Sequence, residues 1–512
     1  MSNLREQVIS TPDQTRWFEK VAPNVGNERQ LLFDDFFIHG GGNPSQYPYN
    51  IRWVNGPVEK HGSPIFEGEQ PWEESSAWLS VMKDNGVYRM WYNSRHEGQI
   101  GHVISYAESV DGLHFVRRRH GVVEYMGSTD NNVVFDGGFN GVAPEMGNVF
   151  IDPHAPEGER YKMIFTDWEG EHCFSFRAHE TGLPFTHCVG MLRGAGSPDG
   201  LHWKRYYENF SGRYCDSQNA ACWDETLGKF VLYHRDGGQF GGLDAGDVRI
   251  APIGNARAVG RLESDDYRHW VSTGVALQSD FLDTRNVDIY NSAYSRYPYA
   301  PLAHFMFPSY FYHYEGTFEV KVCTSRDNIT WSRPTRDTFI PLSAPGEFDC
   351  YIISVAPGFV PIDDDHLALY YRSGNGPHGG AAVKLTEDQQ KKVASRVSRV
   401  VLKRDRIIGI EAGDDVGHFA TRPIRFAGRN LLLNVEPIGP GAEMRVALLG
   451  AENAQPIVGY TLDDCVPLTD DDLDAHVKWR GKDTIESDVS SRLISIHFRF
   501  CNMRIYAFQF TP

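Results

Sequence analysis

The chain has 512 residues, 13% of them aromatic, and a formal net charge of −17 at pH 7. This length allows one large and one smaller domain, and the negative charge argues against nucleic acid and anionic membrane as partners. The first twenty residues lack the apolar stretch of a signal peptide, and no apolar run reaches membrane-spanning length, so we expect a cytoplasmic protein. The eight cysteines show no disulfide or metal spacing and are expected to be free thiols.

A short motif recurs four times along the chain: a Ser, one free position, an Asp, and an aromatic residue four positions after the Asp. The copies run from Ser109 to Phe115, Ser197 to Trp203, Ser264 to Trp270 and Ser325 to Trp331. Each copy predicts a hairpin turn that is capped by the Ser and Asp side chains, with Gly or Asn at positive φ and the aromatic residue returning to the core. Starts that lie 88, 67 and 61 residues apart indicate a repeated supersecondary unit, for which a β-propeller is the natural fold.

Five segments in chain order share one succession of parts: an acidic start, an apolar strand, a turn, and a second strand that ends in polar residues. Hairpins of this kind are typical of antiparallel sheet, and five of them predict five blades. A strand expected at residues 31–38 could close the ring by pairing into the last blade. The charged stretch 386–406 could be partly helical and either link two domains or form the outer edge of the last blade.

From about residue 415 the pattern changes to closely spaced alternating strands with short turns, which indicates a β-sandwich of about a hundred residues. The predicted fold is therefore all-β, with a five-bladed β-propeller over residues 1–400 followed by a C-terminal β-sandwich over residues 401–512. Because the inner strands of a propeller line its central channel, the residues that open these strands are the first candidates for function.

Acidic residues open the inner strand of every predicted blade. Carboxylates that converge on one channel repel one another, so we expect protonated and ionised forms side by side at neutral pH. Cleavage of a glycosidic bond needs this pair of states, because one carboxyl group protonates the leaving oxygen while another attacks the anomeric carbon or activates water. The predicted catalytic residues are Glu73, Glu145, Asp216, Asp288 and Asp349.

Further polar and aromatic residues at the same positions are candidates for binding a substrate. Cationic residues end several inner hairpins, His378 among them, and would hold hydroxyl groups or an anion such as phosphate, whereas aromatic residues beside the acids would stack on sugar rings. The predicted substrate-binding residues are Trp72, Glu74, Arg95, His96, Trp168, Gln218, Asn219, His234, Arg235, Tyr290 and Arg372. No spacing predicts a metal site or a cofactor.

These features together resemble the five-bladed propeller glycosidases, the grouping of glycoside hydrolase families 32, 43 and 68. The resemblance lies in the SxDGLHF and SPDGLHW turns, the YRMWY and YKMIF second strands, and the trailing sandwich typical of family 32. It implies three essential acids on the first three blades, which blade order places at Glu73 (or Glu74), Glu145 and Asp216. The Asn-Asp-Pro-Asn and Arg-Asp-Pro signatures of family 32 are absent, so the resemblance implies a divergent member.

The function expected from the sequence is hydrolysis of a small saccharide, such as a fructoside or an arabinofuranoside. One alternative is a propeller-type phosphorylase, whose phosphate pocket could be formed by Arg95, His234, Arg235 and Arg372. The other is a protein that binds carbohydrate without turning it over, because fold does not fix function. A face of the sandwich would also offer an interface for a homo-oligomer.

Overall fold

A computed structural model describes residues 22–39, 46–73, 78–95, 102–137, 143–169, 189–211, 215, 217–236, 257–284, 286–378, 383, 385–390 and 392–512. These residues form almost only β-strands, which confirms the prediction of an all-β fold. Helical structure among them is limited to α1 (Glu387–Gln390), α2 (Ser487–Ser490) and the 3-10 turns Asp35–Phe37 and Glu157–Glu159. No helix in these ranges is long and apolar enough to cross a membrane.

The chain divides into two compact units. The larger unit comprises residues 58–297 and 302–402, and the smaller unit comprises the residues before 58 together with residues 298–301 and 403–512. The division after residue 402 lies close to the predicted boundary at 400. The N-terminal segment, which the sequence analysis assigned to the first domain, groups instead with the C-terminal residues.

Four short strands lie in the N-terminal segment: β1 (Asn24–Gly26), β2 (Gln30–Leu31), β3 (Arg52–Asn55) and β4 (Glu59–Lys60). The prediction that residues 31–38 form a strand that closes the ring is wrong. Strand β2 pairs with the C-terminal strand Met503–Thr511, and the following residues turn into a 3-10 helix because the Asp34 carboxylate accepts a hydrogen bond from the backbone of Phe36 at 3.2 Å. The N-terminal strand that joins the last sheet of the larger unit is β4.

Three four-stranded antiparallel sheets of consecutive strands begin the larger unit. The first contains β5 (Leu79–Asp84), β6 (Val87–Ser94), β7 (Val103–Ser109) and β8 (Val133–Phe135). The second contains β9 (Ala143–Ile151), β10 (Tyr161–Glu169), β11 (Val189–Ser197) and β12 (Lys204–Arg205). The third contains β13 (Ala220–Asp224), β14 (Lys229–Asp236), β15 (Ala258–Ser264) and β16 (Val271–Leu277).

Two further groups of strands complete the larger unit. The fourth group contains β17 (Val287–Ile289), β18 (Tyr294–Arg296), β19 (His304–Met306), β20 (Ser309–Tyr312), β21 (Thr317–Val320) and β22 (Cys323–Ser325). The fifth contains β23 (Ile352–Val355), β24 (Val360–Pro361), β25 (His366–Gly374) and β26 (Ser395–Lys403), and β4 pairs with β26 as its edge strand. A single parallel pairing, between Phe318 and Ile352, joins the two groups.

Buried clusters connect each group of strands to the next. Aromatic residues of the first and second sheets share one cluster, and the second and third sheets, the third sheet and fourth group, and the fourth and fifth groups share others. A further cluster joins the fifth group to the first sheet through Tyr370 and Tyr88. Burial of large apolar side chains between neighbouring sheets is the main favourable contribution to such packing.

The four Ser-x-Asp motifs form the turns that were predicted. In the first copy Ser109 Oγ donates to the Asp111 carboxylate at 2.8 Å, and the same carboxylate accepts the backbone N–H groups of Leu113 and His114. Gly112 and Asn328 take positive φ as expected, whereas the third copy places Tyr267 at φ 62°. The first three turns follow the third strand of their sheet and the fourth follows β22, and the residues after each turn pair with the strand that precedes it.

Short polar side chains on the first strands tie neighbouring groups together. Ser80 Oγ donates to the carbonyl of Val149 at 3.2 Å, and the Asn148 amide group donates to the carbonyl of Ala221 at 3.0 Å. Asn291 makes the corresponding bond to Ser354 at 3.1 Å. Because these bonds replace water at buried strand ends, they fix the first strands relative to one another and thereby position the groups beside them.

The smaller unit is built on one apolar core between two sheets. The larger sheet contains β3, β27 (Ile408–Ala412), β30 (Asn430–Pro437), β32 (Asp472–His476) and β34 (Met503–Thr511) with β2, and the smaller one contains β28 (Gly417–Ala420), β31 (Glu443–Gly450) and β33 (Ile494–Cys501). Strand β29 (Arg425–Phe426) pairs with β1. The core contains Leu433 and Phe508 from the first sheet and Val446 and Phe498 from the second.

Candidate active site

Glu145 lies beside the indole of Trp78 in the larger unit. Its carboxylate accepts a hydrogen bond from Trp78 Nε1 at 2.8 Å, and the guanidinium carbon of Arg372 is 5.6 Å from the centroid of the same indole. Burial lowers the pKa of Arg372, while attraction to Tyr290 and Glu145 opposes that shift. A hydrogen-bond donor and a nearby positive charge both stabilise the ionised form of a carboxylate. Glu145 is thus a half-buried carboxylate that is hydrogen-bonded to Trp78 of the first sheet and interacts with the charge of Arg372 in the fifth group.

Tyr290 forms the centre of the site. Its ring is 6.2 Å from Trp78 and 5.1 Å from His378, and the guanidinium carbon of Arg257 lies 4.0 Å from its centroid. Burial and the charges of Arg257, Arg372 and His313 hold the pKa of His378 well below its usual value, so this imidazole is neutral at pH 7. The ring pair of Trp78 and Tyr290 therefore carries cationic groups at both of its ends.

Asp288 lies on the same face of its strand as Tyr290, two residues earlier. Its carboxylate is buried, and one oxygen is 2.9 Å from Nε2 of His313. Strand pairing explains this geometry, because Asp288 lies opposite Phe311 on β20 and side chains two residues apart on a strand share a face. The His313 ring also packs against Phe311, with centroids 4.2 Å apart, so both members of the Asp–His pair are fixed.

The charges of Arg95 and Arg372 both act on His102. Burial lowers its pKa to about 4, and the two arginines contribute to the same shift. Arg95 follows β6 directly and His102 precedes β7, so both residues come from the ends of neighbouring strands of the first sheet. The first sheet thereby adds one exposed guanidinium group and one neutral imidazole to the site.

This arrangement gathers aromatic, cationic and acidic side chains at one place. The rings of Trp78 and Tyr290 are 3% and 6% exposed and pack with Phe311 and Phe318, so they support the polar groups around them. Arginine and neutral histidine side chains can hold hydroxyl or anionic groups. The two carboxylates differ in environment, since Glu145 lies beside an indole and Asp288 is paired with an imidazole. Groups of three or more metal-binding side chains do not occur among the described residues.

Glu73, the first of the predicted catalytic acids, is enclosed by its own loop. Arg117 Nε donates to its two oxygens at 2.9 and 3.0 Å, Tyr92 donates to one of them, and the backbone N–H groups of Glu69 and Gln70 bond to the other. The side chain is fully buried in this ion pair. These contacts pair Glu73 with Arg117, and none of them involves a residue of the candidate site.

Asp349 has a similar environment in the fifth group. Lys60 Nζ is 2.6 Å from its carboxylate, and the hydroxyl of Tyr371 donates to the same oxygen at 2.9 Å. Lys60 belongs to β4, so this fully buried carboxylate anchors the edge strand of the fifth group. Its contacts do not include any residue of the candidate site.

The predicted binding residues of the third sheet hold backbone groups in place. The Gln218 amide group donates to the carbonyls of Leu79 and Gly147, at 2.6 and 2.8 Å, and so connects three sheets. Asn219 accepts the backbone N–H of Arg235 at 3.0 Å. His234 Nδ1 lies 2.6 Å from the Arg235 carbonyl oxygen and 3.5 Å from Cys215 Sγ.

The other predicted residues fall into two classes. Trp72 is half-buried, and its indole donates to Asn132 at 2.9 Å, away from the contacts of the candidate site. Glu74, His96 and Asp216 lie outside the described residues, and Trp168 lies on β10 with its side chain outside the described part. The structure therefore brings together Glu145, Asp288, Tyr290, Arg372 and Arg95 of the predicted set.

Sequence reasoning missed Trp78, His102, Arg257 and His313. The rule that cationic residues end inner hairpins also applies to His313, which follows β20 directly, so the signal for this residue was present. Trp78 precedes β5 and has the same relation to its strand as the acids that were selected. Arg257 and His102 precede the third strands of their sheets, a position that the sequence analysis did not consider.

Comparison with known proteins gives a distant similarity of fold. No protein-family model matches the chain. A segment of 86 residues is 37% identical to uncharacterized proteins of two Mycobacterium tuberculosis strains, CDC 1551 and H37Rv, and covers 16% of this chain. The match spans only 26% of the length of these relatives, about a quarter.

Three solved structures illustrate the structural similarity. An N-acetylgalactosamine deacetylase from F. plautii, solved with blood group B trisaccharide, has a TM-score of 0.46 at 12% identity and covers 69% of this chain and 96% of its own. A putative glycoside hydrolase from Parabacteroides distasonis has a TM-score of 0.40 at 14% identity, covering 72% and 96%. A protein described with the GH130 family of mannoside phosphorylases and hydrolases has a TM-score of 0.39 at 13% identity, covering 67% and 94%. These TM-scores are too low to assign the chain to any of the three families.

Proposed function

We propose that the protein is a glycoside hydrolase that uses Glu145 and Asp288 as its two catalytic carboxyl groups. The observation that carries this proposal is the ring pair of Trp78 and Tyr290, 6.2 Å apart, which has Glu145 hydrogen-bonded to one ring and Asp288 two residues before the other. A sugar bound beside this pair would lie between a carboxylate and an Asp–His pair. That is the set of groups that glycosidic cleavage requires.

The two acids are proposed to have different roles. Glu145, beside a hydrogen-bond donor and a guanidinium group, is the ionised carboxylate that attacks the anomeric carbon or activates a water molecule. Asp288 with His313 is the proton donor to the leaving oxygen, because an Asp–imidazole pair at 2.9 Å can hold and transfer a proton. The substrate is proposed to be a short oligosaccharide or a glycoside.

The proposed architecture is a five-bladed β-propeller with an accompanying β-sandwich. Support for the propeller comes from the five buried clusters that join each group of strands to the next and the fifth group to the first sheet. The single core between the two sheets of the smaller unit supports the sandwich. In this architecture Glu145 on β9 and Asp288 on β17 both lie on first strands, which line the channel.

The test is a screen of the purified full chain against fructosides, arabinosides, galactosides, mannosides and uronosides. Glu145→Gln and Asp288→Asn should each lower turnover by a factor of about 10² to 10⁴, the usual contribution of an acid or base. Glu108→Gln is the matched control, because Glu108 lies on β7 and forms an ion pair with Arg118 outside the site. Thermal unfolding of each variant verifies the fold. Unchanged turnover in both site variants would exclude the proposed roles.

Phosphorolysis is a second candidate function. It is favoured by Arg95 and Arg372, two of the four residues predicted for phosphate, whose charges both act on His102. The other two, His234 and Arg235, lie in the backbone contacts of the third sheet. Sugar release that depends on inorganic phosphate would favour this function. If the protein binds a saccharide without any turnover, and both acid variants retain that binding, it is a carbohydrate-binding protein.

A further inference from the structure

Two arginine side chains lie on the neighbouring rings of the proposed site. The guanidinium carbon of Arg257 is 4.0 Å from the centroid of Tyr290, and that of Arg372 is 5.6 Å from the centroid of Trp78. Since the two rings are 6.2 Å apart, both positive charges lie close to the same pair of rings. Their charges, together with burial, keep the nearby His378 neutral.

Arg372 differs in its ion pairing from other arginines that lie over aromatic rings in this protein. Arg268 lies 3.6 Å from the centroid of Tyr206 and has Glu208 at 3.4 Å, and Arg117 lies 4.0 Å from the centroid of Phe66 and pairs with Glu73. Arg372 makes no ion pair with a carboxylate in the part of the chain that the structure describes, and its Nε and Nη2 atoms contact the neutral Ser395 at 3.3 and 3.2 Å. Glu145 attracts the half-buried Arg372 guanidinium, yet burial still lowers the pKa of Arg372, so a ligand that supplies a further negative charge would stabilise this group.

We infer that the saccharide bound at this site carries a carboxylate, as a uronic acid does, and that Arg257 and Arg372 hold it. The inference rests on the proposed function for the location of the site and adds the chemical class of the substrate. A planar guanidinium group binds a carboxylate by two parallel hydrogen bonds, which favours arginine over lysine here.

The test measures binding separately from turnover. The full-length wild-type protein is titrated by calorimetry with D-glucuronate, D-galacturonate, D-glucose, D-galactose and inorganic phosphate, none of which has a glycosidic bond to cleave. We expect at least one uronate to bind about 10- to 100-fold more tightly than its neutral parent sugar, the usual strength of a charge-assisted hydrogen bond. Adding Arg257→Gln or Arg372→Gln should remove that difference, whereas Arg268→Gln, the matched stacked arginine, should preserve it.

Three results would overturn the inference: equal affinity for uronate and neutral sugar, no uronate binding, or binding of inorganic phosphate alone. The last of these would support the phosphorylase instead. Failure of the proposed function gives a different result. A protein that cleaves no glycoside in the screen but binds uronate through both arginines would contradict the hydrolase proposal and support the anion site. Cleavage of neutral glycosides only would support the hydrolase proposal and contradict the carboxylate specificity.

Discussion

Glu73 and Glu69 bond to the same guanidinium group of Arg117 but differ greatly in burial. The side chain of Glu73 is 0% exposed and that of Glu69 is 65% exposed, at distances of 2.9 and 3.0 Å from Arg117. Removal of one partner of a buried ion pair leaves an uncompensated charge in the interior, which costs about 3–5 kcal/mol. A surface ion pair contributes about 0–1 kcal/mol. Replacing each residue in turn therefore compares a buried and an exposed carboxylate that pair with the same guanidinium group.

We predict that Glu73→Ala lowers the free energy of unfolding by about 3–5 kcal/mol and that Glu69→Ala lowers it by less than about 1 kcal/mol. Urea unfolding monitored by tryptophan fluorescence measures both. A Glu73→Gln protein of unchanged stability that has lost its turnover would show instead that this carboxylate is catalytic, as the sequence analysis proposed.

At the scale of single residues, the sequence identifies acidic residues but not their partners. Recurrence of acids before the inner strands selected Glu145 and Asp288, which the structure places beside Trp78 and His313. The same pattern also selected Glu73 and Asp349, whose partners Arg117 and Lys60 lie 44 and 289 positions away in the sequence. Pairing between such distant residues leaves no local signal, so a buried ion pair and a catalytic acid look alike in a sequence.

At the scale of elements, the Ser-x-Asp turns were predictable from the sequence, whereas the pairing of strand β4 with β26 was not. The Ser-x-Asp turns follow from local hydrogen bonds, so their sequence suffices to identify them. Strand β4 has only two residues, both charged, and it pairs with β26 through contacts 340 and 342 positions apart in sequence. An apolar stretch at 31–38 was the better match to a strand pattern, yet its apolar residues serve the core of the smaller unit.

The edge strand β4 depends on one buried contact. Lys60 reaches Asp349 at 2.6 Å, and replacing the lysine leaves a fully buried carboxylate with Tyr371 as its remaining described donor. We predict that Lys60→Met lowers the free energy of unfolding by about 3–5 kcal/mol. Lys83→Met is the control, because the exposed Lys83 also bonds to a carbonyl of the fifth group, that of Ile362, at 3.0 Å. Equal urea midpoints for the two variants would argue against this role of β4.

At the scale of the whole molecule, both units carry imidazoles that burial keeps neutral. Burial lowers the pKa of His102 and of His304 in the larger unit to about 4, and burial together with His418 and Arg499 does the same for His497 in the smaller unit. An unfolded histidine takes up its proton near pH 6.5. Between these two pKa values the unfolded chain binds more protons than the folded one. The contribution of each neutral imidazole to the free energy of unfolding is therefore complete above about pH 6.5 and is lost as the pH falls toward about 4.

This linkage predicts the effect of removing one histidine. Each neutral imidazole adds about 1.4 kcal/mol per pH unit to the slope of unfolding free energy against pH within that window. His497→Gln should reduce the slope near pH 5.5 by about this amount, as measured by urea unfolding at several pH values. His114→Gln is the control, since its ring is 85% exposed and lies in a surface turn. A slope that is the same in wild type and His497→Gln would mean that His497 is protonated to the same extent in the folded and unfolded protein at this pH, and would contradict the prediction.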